Sequence, residues 1–262
     1  MPGISMQEKG LFLEKGIETV HDINDTEELN ARQKVIIKAF QTNEVHCDKE
    51  MLEQFVSVLS YPAYYFDVEA FQPAIPVFNN TKPYERIPFL YSLHYKEKEE
   101  SALKHISYIS PIGKDDRVHF IEHFLEATKM PGKIYVFNTL LEKGILFRLL
   151  QDFPSYKNDI LERINRIVDI EIPFKELYYY HPAQQGSFSL KAIGNALLQR
   201  NEFNNSEVKD GEEAMAIYNE LFYWENKHEV EQKLAHLQKY CYTDTLVLYQ
   251  VVEQLKAIVQ TI

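Results

Sequence analysis

The spacing of apolar residues changes once along this chain, at Tyr61–Pro62, and that change of period limits the class of fold it can adopt. Before it, apolar residues recur in Leu11–Val20, Val35–Phe40 and Met51–Leu59 at the three- and four-residue intervals of a helix face. Asp25 and Thr26 are expected helix caps. After it, Ala63–Glu69, Ile87–Tyr95 and His105–Ser110 carry the aromatic and β-branched residues of strands. Pro73, Pro76, Asn79, Asn80 and Pro83 mark a long loop between the first two. Asp115–Thr128 returns to a helical stripe at Val118, Ile121, Phe124 and Leu125. Lys133–Asn138 reads as a short strand opening into a helix that ends near Leu150, and further helices are expected at Asn158–Ile167, Ser189–Gln199, Glu212–Trp224 and Glu229–Val259. Strands first, then a strand–helix crossover and trailing helices, predict a mixed α/β sheet flanked by helices. Residues 1–59 hold too little apolar material for their own core and are expected as a helical N-terminal extension on a main domain at 60–262.

Charge narrows the function. Lys and Arg number 28 against 39 Asp and Glu among 262 residues, a net charge of -11. That excludes a nonspecific nucleic-acid coat, which needs clustered positive charge. It suits an enzyme whose acidic site takes up divalent cations before meeting a phosphate. Two distant cysteines, Cys47 and Cys241, rule out a disulfide framework or a Cys-rich zinc site. Met1–Gly10 lacks a signal-peptide apolar region, and runs such as Thr245–Val252 are far shorter than the roughly 18 residues of a membrane span. A cytoplasmic protein with no membrane association is expected, in which the sequons at Asn79 and Asn204 are chance matches.

Three acidic motifs carry chemistry. In Tyr65-Phe66-Asp67-Val68-Glu69, alternation places Asp67 and Glu69 on one face of a strand. Adjacent carboxylates repel and raise each other's pKa, a conflict that Mg²⁺ or Mn²⁺ resolves through oxygen ligation; a solvated strand face is the alternative. In Tyr240-Cys241-Tyr242-Thr243-Asp244, Tyr240 and Asp244 are four apart and share a helix face, as a water-orienting phenol with a metal ligand or as a simple Tyr–Asp hydrogen bond. In Asn138-Thr139-Leu140-Leu141-Glu142, Asn138 suits an N-cap and Glu142 falls one turn inside, where capping and first-turn charge explain both equally.

Taken in order, D-x-E on a first strand, Asn and then an acid after a later strand, and Y-x-x-x-D on a late helix resemble the DEDD superfamily of 3′–5′ exonucleases. Within it the chain is similar to an uncharacterised bacterial family. That likeness rests on Tyr65–Glu69, Pro73-Ala74-Ile75-Pro76, Lys82–Phe89, Tyr91-Ser92-Leu93-His94, Val168-Asp169, Tyr180-His181-Pro182, Gly186–Lys191, Asp210–Ala214 and Tyr240–Thr245, and covers roughly residues 60–255. The resemblance implies a ribonuclease H-like mixed β-sheet flanked by helices. It implies two divalent ions, Mg²⁺ or Mn²⁺, about 4 Å apart, held by Asp67, Glu69, Glu142 and Asp244. Asp67 would bridge them, Tyr240 would orient the attacking water, and Glu142 would serve the second ion. Lys191 and Asn138 would face substrate, and Asp169 would support the site. The superfamily carries Asp where Glu142 stands and an aromatic where Leu141 stands. The implied activity is hydrolysis of phosphodiester bonds from a single-stranded DNA or RNA 3′ end. Relatives often follow a PD-(D/E)xK-type nuclease region, so a nuclease partner domain or protein, with this chain a fragment or shortened relative, is also expected. A noncatalytic nucleic-acid or protein-interaction module retaining the fold is the alternative.

Other signals weigh less. His119-Phe120-Ile121-Glu122-His123 matches an inverted zinc-peptidase motif but lacks a third ligand. Tyr178-Tyr179-Tyr180-His181 suits base stacking, or buried packing. Lys96–Glu100 is expected to be a solvated turn.

Overall fold

The computed structural model describes residues 4–24, 29–200, 202–203 and 207–261; Asp25, Thr26 and Asn204 lie outside them. The chain divides into two compact units. One comprises Met1–Val58, Glu171–Asn201 and Gln250–Ile262, the other Leu59–Ile170 and Glu202–Tyr249.

The first unit holds α1 (Met6–Glu14), α2 (Ala31–Thr42), β1 (His46–Cys47) and α3 (Lys49–Ser57). The apolar stripe at 11–20 does not become one helix. Gly16 takes a left-handed φ of 77° just after α1 and stops it, leaving Val20–Asp22 as a single 3₁₀ turn. Later residues add α7 (Ile172–Lys175), β7 (Tyr179–Tyr180) and α8 (Leu190–Leu198). Strands β1 and β7 pair antiparallel, and Ile36, Ala39, Leu177 and Tyr180 form a small core.

The second unit is built on β2 (Ala63–Phe71), β3 (Ile87–Lys96), β4 (Lys104–Ile109), α4 (Arg117–Ala127), β5 (Lys133–Val136), α5 (Thr139–Asp152), α6 (Lys157–Asn165), β6 (Ile167–Asp169) and α9 (Gly211–Leu221). Helix α10 (Lys227–Thr261) contributes its residues up to Tyr249. The sheet order is β4-β3-β2-β5-β6. The first three strands are antiparallel, and β5 and β6 join parallel to β2. This is the ribonuclease H-like mixed sheet flanked by helices. The helix expected to run to Ile167 ends at Asn165, and the next residues become the fifth strand. Ile134 N–H donates to Arg166 O at 3.0 Å and Ile170 N–H to Val136 O at 2.9 Å, so pairing with β5 claims backbone groups that a longer helix would have used internally.

Alternation along β2 separates two cores. Phe66 and Val68 pack with Phe120, Phe124, Ile145 and Leu149. Phe71, on the opposite face, packs with Tyr218, Leu221, Leu237 and Cys241. A close approach ties β5 to the start of β2: Lys133 N–H donates to Pro62 O at 3.0 Å, and a Cβ on Gly132 would lie 2.1 Å from that same oxygen. Gly132→Ala must therefore displace backbone, and is expected to destabilise by about 3 kcal/mol in urea unfolding. A loss below about 0.5 kcal/mol, the range of neutral surface changes, would contradict this reading of the contact.

Candidate metal centre

Asp67 and Glu69 lie on the β2 face opposite the Phe66–Val68 core, as period-two alternation requires. Helix α10 packs on that face. Its Cys241 Sγ donates to Asp67 Oδ2 at 3.1 Å, and one turn later Asp244 joins the two strand carboxylates. One ligand atom from each of Asp67, Glu69 and Asp244 lies within 4.8 Å of the others, the one such group of three or more His, Cys, Asp or Glu among the described residues. Glu69 is buried, Asp67 and Asp244 half-buried.

Glu142, on helix α5, lies outside that group of three but near enough to exchange charge effects with Asp67 and Glu69. The first turn of α5 is locked by Asp169 at the end of β6, whose two carboxylate oxygens accept Asn138 N–H at 3.0 Å and Thr139 N–H at 3.1 Å. Asn138 Oδ1 accepts Leu140 N–H at 3.3 Å as the N-cap, with a left-handed φ of 67°. Four residues on, Glu142 is 3% exposed and its Oε2 is buried without a hydrogen-bond partner among the described residues. An orphaned buried carboxylate oxygen is costly, and an incoming cation would satisfy it.

The electrostatics follow from this crowding. Burial pushes Asp67 up to about 6. Burial, then Asp67, Asp244 and Glu142, push Glu69 well above the usual carboxylate range. Burial first and then Asp67 push Glu142 up to about 9. Burial and the Asp244 and Glu69 charges push the Tyr240 phenol up, so it keeps its proton. The Cys241 thiol is likewise pushed up by burial and then Asp67, which makes it a hydrogen-bond donor and no nucleophile.

Two features escaped sequence reasoning. Asp210 caps α9, and a Cβ on the following Gly211 would sit 3.5 Å from Glu69 Oε2, so the start of the helix lies directly beside the carboxylate. The second is a buried polar network beneath Asp244. Thr245 Oγ1 bonds Ser92 Oγ at 2.7 Å and His94 Nδ1 at 2.8 Å, and Ser92 Oγ bonds His105 Nε2 at 2.9 Å. Ser92 is the cross-strand partner of Asp67, which puts both on the α10 face. The signal was there in part: Cys241 and Thr245 are one helical turn apart, with Asp244 between them. Thr245→Val leaves Ser92 and His94 short of a buried partner. It is expected to cost about 1–3 kcal/mol, with Thr245→Ser retaining most of the stability, measured by urea unfolding; equal stability of all three proteins would refute the network's contribution.

Lys191 lies in the other unit, in the first turn of α8, whose N-cap is Ser189. The inverted zinc-peptidase residues take protein partners: His119 Nδ1 lies 3.2 Å from Asp116, His123 bonds the Tyr91 hydroxyl, and Glu122 accepts from Tyr156 Oη at 2.6 Å. Tyr179 and Tyr180 are buried in β7. No helix among the described residues is long and apolar enough to cross a membrane, and both cysteines are free thiols.

One protein family, described as a domain of unknown function (DUF2779), matches residues 64–189. The match includes Asp67, Glu69, Asn138, Glu142 and Asp169 and ends before Tyr240 and Asp244. No curated protein and no solved structure matches the chain.

Proposed function

We propose that this protein is a metal-dependent 3′–5′ exonuclease acting on single-stranded DNA or RNA in the cytoplasm. The observation that carries the reading is the meeting of Asp67, Glu69 and Asp244 within 4.8 Å, drawn from positions 175 residues apart in sequence (244 − 69). Three carboxylates crowded at this depth disfavour the folded chain unless a cation neutralises them.

The donor set is all oxygen, which suits Mg²⁺ or Mn²⁺ over softer metals. Asp67, Glu69 and Asp244 would hold one ion. Glu142, with its unpartnered Oε2, would serve a second together with Asp67. Such ions, when bound, lower the pKa of a water and offset the charge that builds on a phosphodiester. The chain's own groups do the rest. Tyr240, which keeps its phenolic proton, orients the attacking water by hydrogen bonding and does not act as a base. Asp169 fixes the first turn of α5 and so the position of Glu142. A site this acidic repels an approaching phosphate until it is loaded, which makes activity conditional on metal.

The test is degradation of single-stranded DNA and RNA labelled at either end, in Mn²⁺, Mg²⁺ or EDTA. Metal-dependent shortening from the 3′ end is expected. No cleavage, in a sample that also takes up no Mn²⁺ by calorimetry, would instead favour a noncatalytic module.

A further inference from the structure

The loop of residues 72–86 begins three residues after Glu69 and has no part in the carboxylate cluster. It is held firmly. Tyr84 N–H donates to Pro73 O at 3.0 Å and Glu85 N–H to Lys82 O at 3.1 Å. The Glu85 side chain is buried between two arginines, 3.1 Å from Arg148 and 3.8 Å from Arg117. That anchor consumes the loop's one negative charge and turns its neighbours outward. Lys82, Tyr84 and Arg86 are all exposed, and no carboxylate among the described residues pairs with either cation. Tyr84 is 70% exposed in a left-handed conformation, φ 59°, which a tyrosine adopts at a cost of about 1–2 kcal/mol. Backbone strain that displays a large aromatic ring to solvent is unexplained by packing.

A second exposed tyrosine borders the same loop. Pro73, Ile75 and Val77 line a hollow of about 250 Å³ with Phe222 and Tyr223, and Tyr223 is 83% exposed. Tyr223 follows the far end of α9, whose other end meets Glu69. The 11 residues of that helix span about 16 Å, the reach of a few nucleotides from the carboxylates.

We infer that Tyr84 and Tyr223 form a stacking platform for the bases of single-stranded nucleic acid, with Lys82 and Arg86 contacting its phosphates. Exposed rings offer a face to every base, and flanking cations track the backbone; that combination is how single strands are bound without sequence preference. The Lys82-x-Tyr84-x-Arg86 order sets one cation two residues before the tyrosine and one two residues after it, and Glu85, the acid that would repel phosphate, is internally neutralised. The inference rests on the exonuclease reading only for the direction in which the strand leads; binding itself is testable without it.

The test is fluorescence anisotropy of the full chain with labelled oligo(dT), oligo(U) and an abasic strand of equal length, in EDTA. Tyr84→Ala with Tyr223→Ala is expected to weaken binding to both base-bearing strands by about tenfold or more, at one to two lost stacks. It should leave the weaker abasic binding unchanged. Lys82→Ala with Arg86→Ala should lower the slope of log Kd against log salt by about 1.4, two contacts at about 0.7 each for single strands. Lys98→Ala, an exposed lysine of the β3–β4 turn, is the control. Base-dependent binding in EDTA, with no cleavage when Mn²⁺ or Mg²⁺ is supplied, would keep the platform and overturn the exonuclease. Cleavage by a wild type whose affinity the tyrosine pair does not affect would overturn the platform alone. A wild type that binds none of the strands would overturn the platform, and would leave the exposed loop as a protein-binding surface.

Discussion

Asp67→Asn is expected to lower metal-dependent hydrolysis by about 10³-fold or more, the largest single-residue effect in this protein. Asp67 is tied to all the other acids of the site: it shares ligand geometry with Glu69 and Asp244, and its charge raises the pKa of both Glu69 and Glu142. Asn keeps the shape and can still accept from Cys241 Sγ, so the change removes charge and little packing. The folded chain should survive it, because a buried carboxylate that burial pushes up to about 6 is no source of stability at neutral pH. The informative comparison is single-turnover cleavage beside Mn²⁺ titration by calorimetry. Loss of both with an unchanged far-UV spectrum is the expected result. Wild-type turnover with Asp67→Asn would remove Asp67 from the mechanism, and the metal assignment with it.

Without metal, the wild-type chain should lose stability as pH rises from about 5 to 9. A carboxyl whose pKa is higher folded than unfolded binds its proton more tightly when folded. Its stabilising contribution is therefore complete below the ordinary value of 4.5 and fades as pH climbs toward the folded one, about 9 for Glu142. Asp67, raised to about 6, and Glu69 act in the same direction. At about 1.4 kcal/mol per pKa unit, Glu142 by itself accounts for at most about 6 kcal/mol across that window, and relaxation of the site will reduce it. Glu142→Gln should accordingly raise the Tm measured in EDTA at pH 8, by roughly 5–10 °C for a gain of about 2–3 kcal/mol, and flatten the pH dependence. Mg²⁺ or Mn²⁺ should stabilise the wild type most at high pH, where protons no longer compete, and Glu142→Gln less. A Tm in EDTA that does not fall between pH 5 and 9 would mean that Glu142 ionises freely, and the buried-carboxylate description would be wrong.

Both expectations draw on a site that was partly legible in the order of residues. The D-x-E on β2 and the Y-x-x-x-D on α10 each needed only a local period, two for a strand and 3.6 for a helix, to place their members on one face. That the faces meet needed the fold: Cys241 on Asp67 joins residues 174 positions apart. Burial of Glu142 was likewise invisible, since capping by Asn138 explains its position and exposure depends on what covers α5. The Thr245–Ser92–His94 network is assembled from three residue types that each read as ordinary alone.

What the residue order determined by itself was local: the change of period at Tyr61–Pro62, most of the helices and the first four strands of the mixed sheet, and which carboxylates share a face. Those follow from backbone geometry and side-chain periodicity within a few turns of chain. Tertiary structure decided the rest. Ile167-Val168-Asp169 is too short to be told from the end of a helix until β5 offers it backbone partners. Residues 1–58 group with 171–201 and 250–262, an association between distant segments that no local pattern encodes. The separation of Asp67, Glu69 and Asp244 depends on how α10 rotates against β2, and that rotation is set by buried contacts across the sheet, which exist only once the chain has folded.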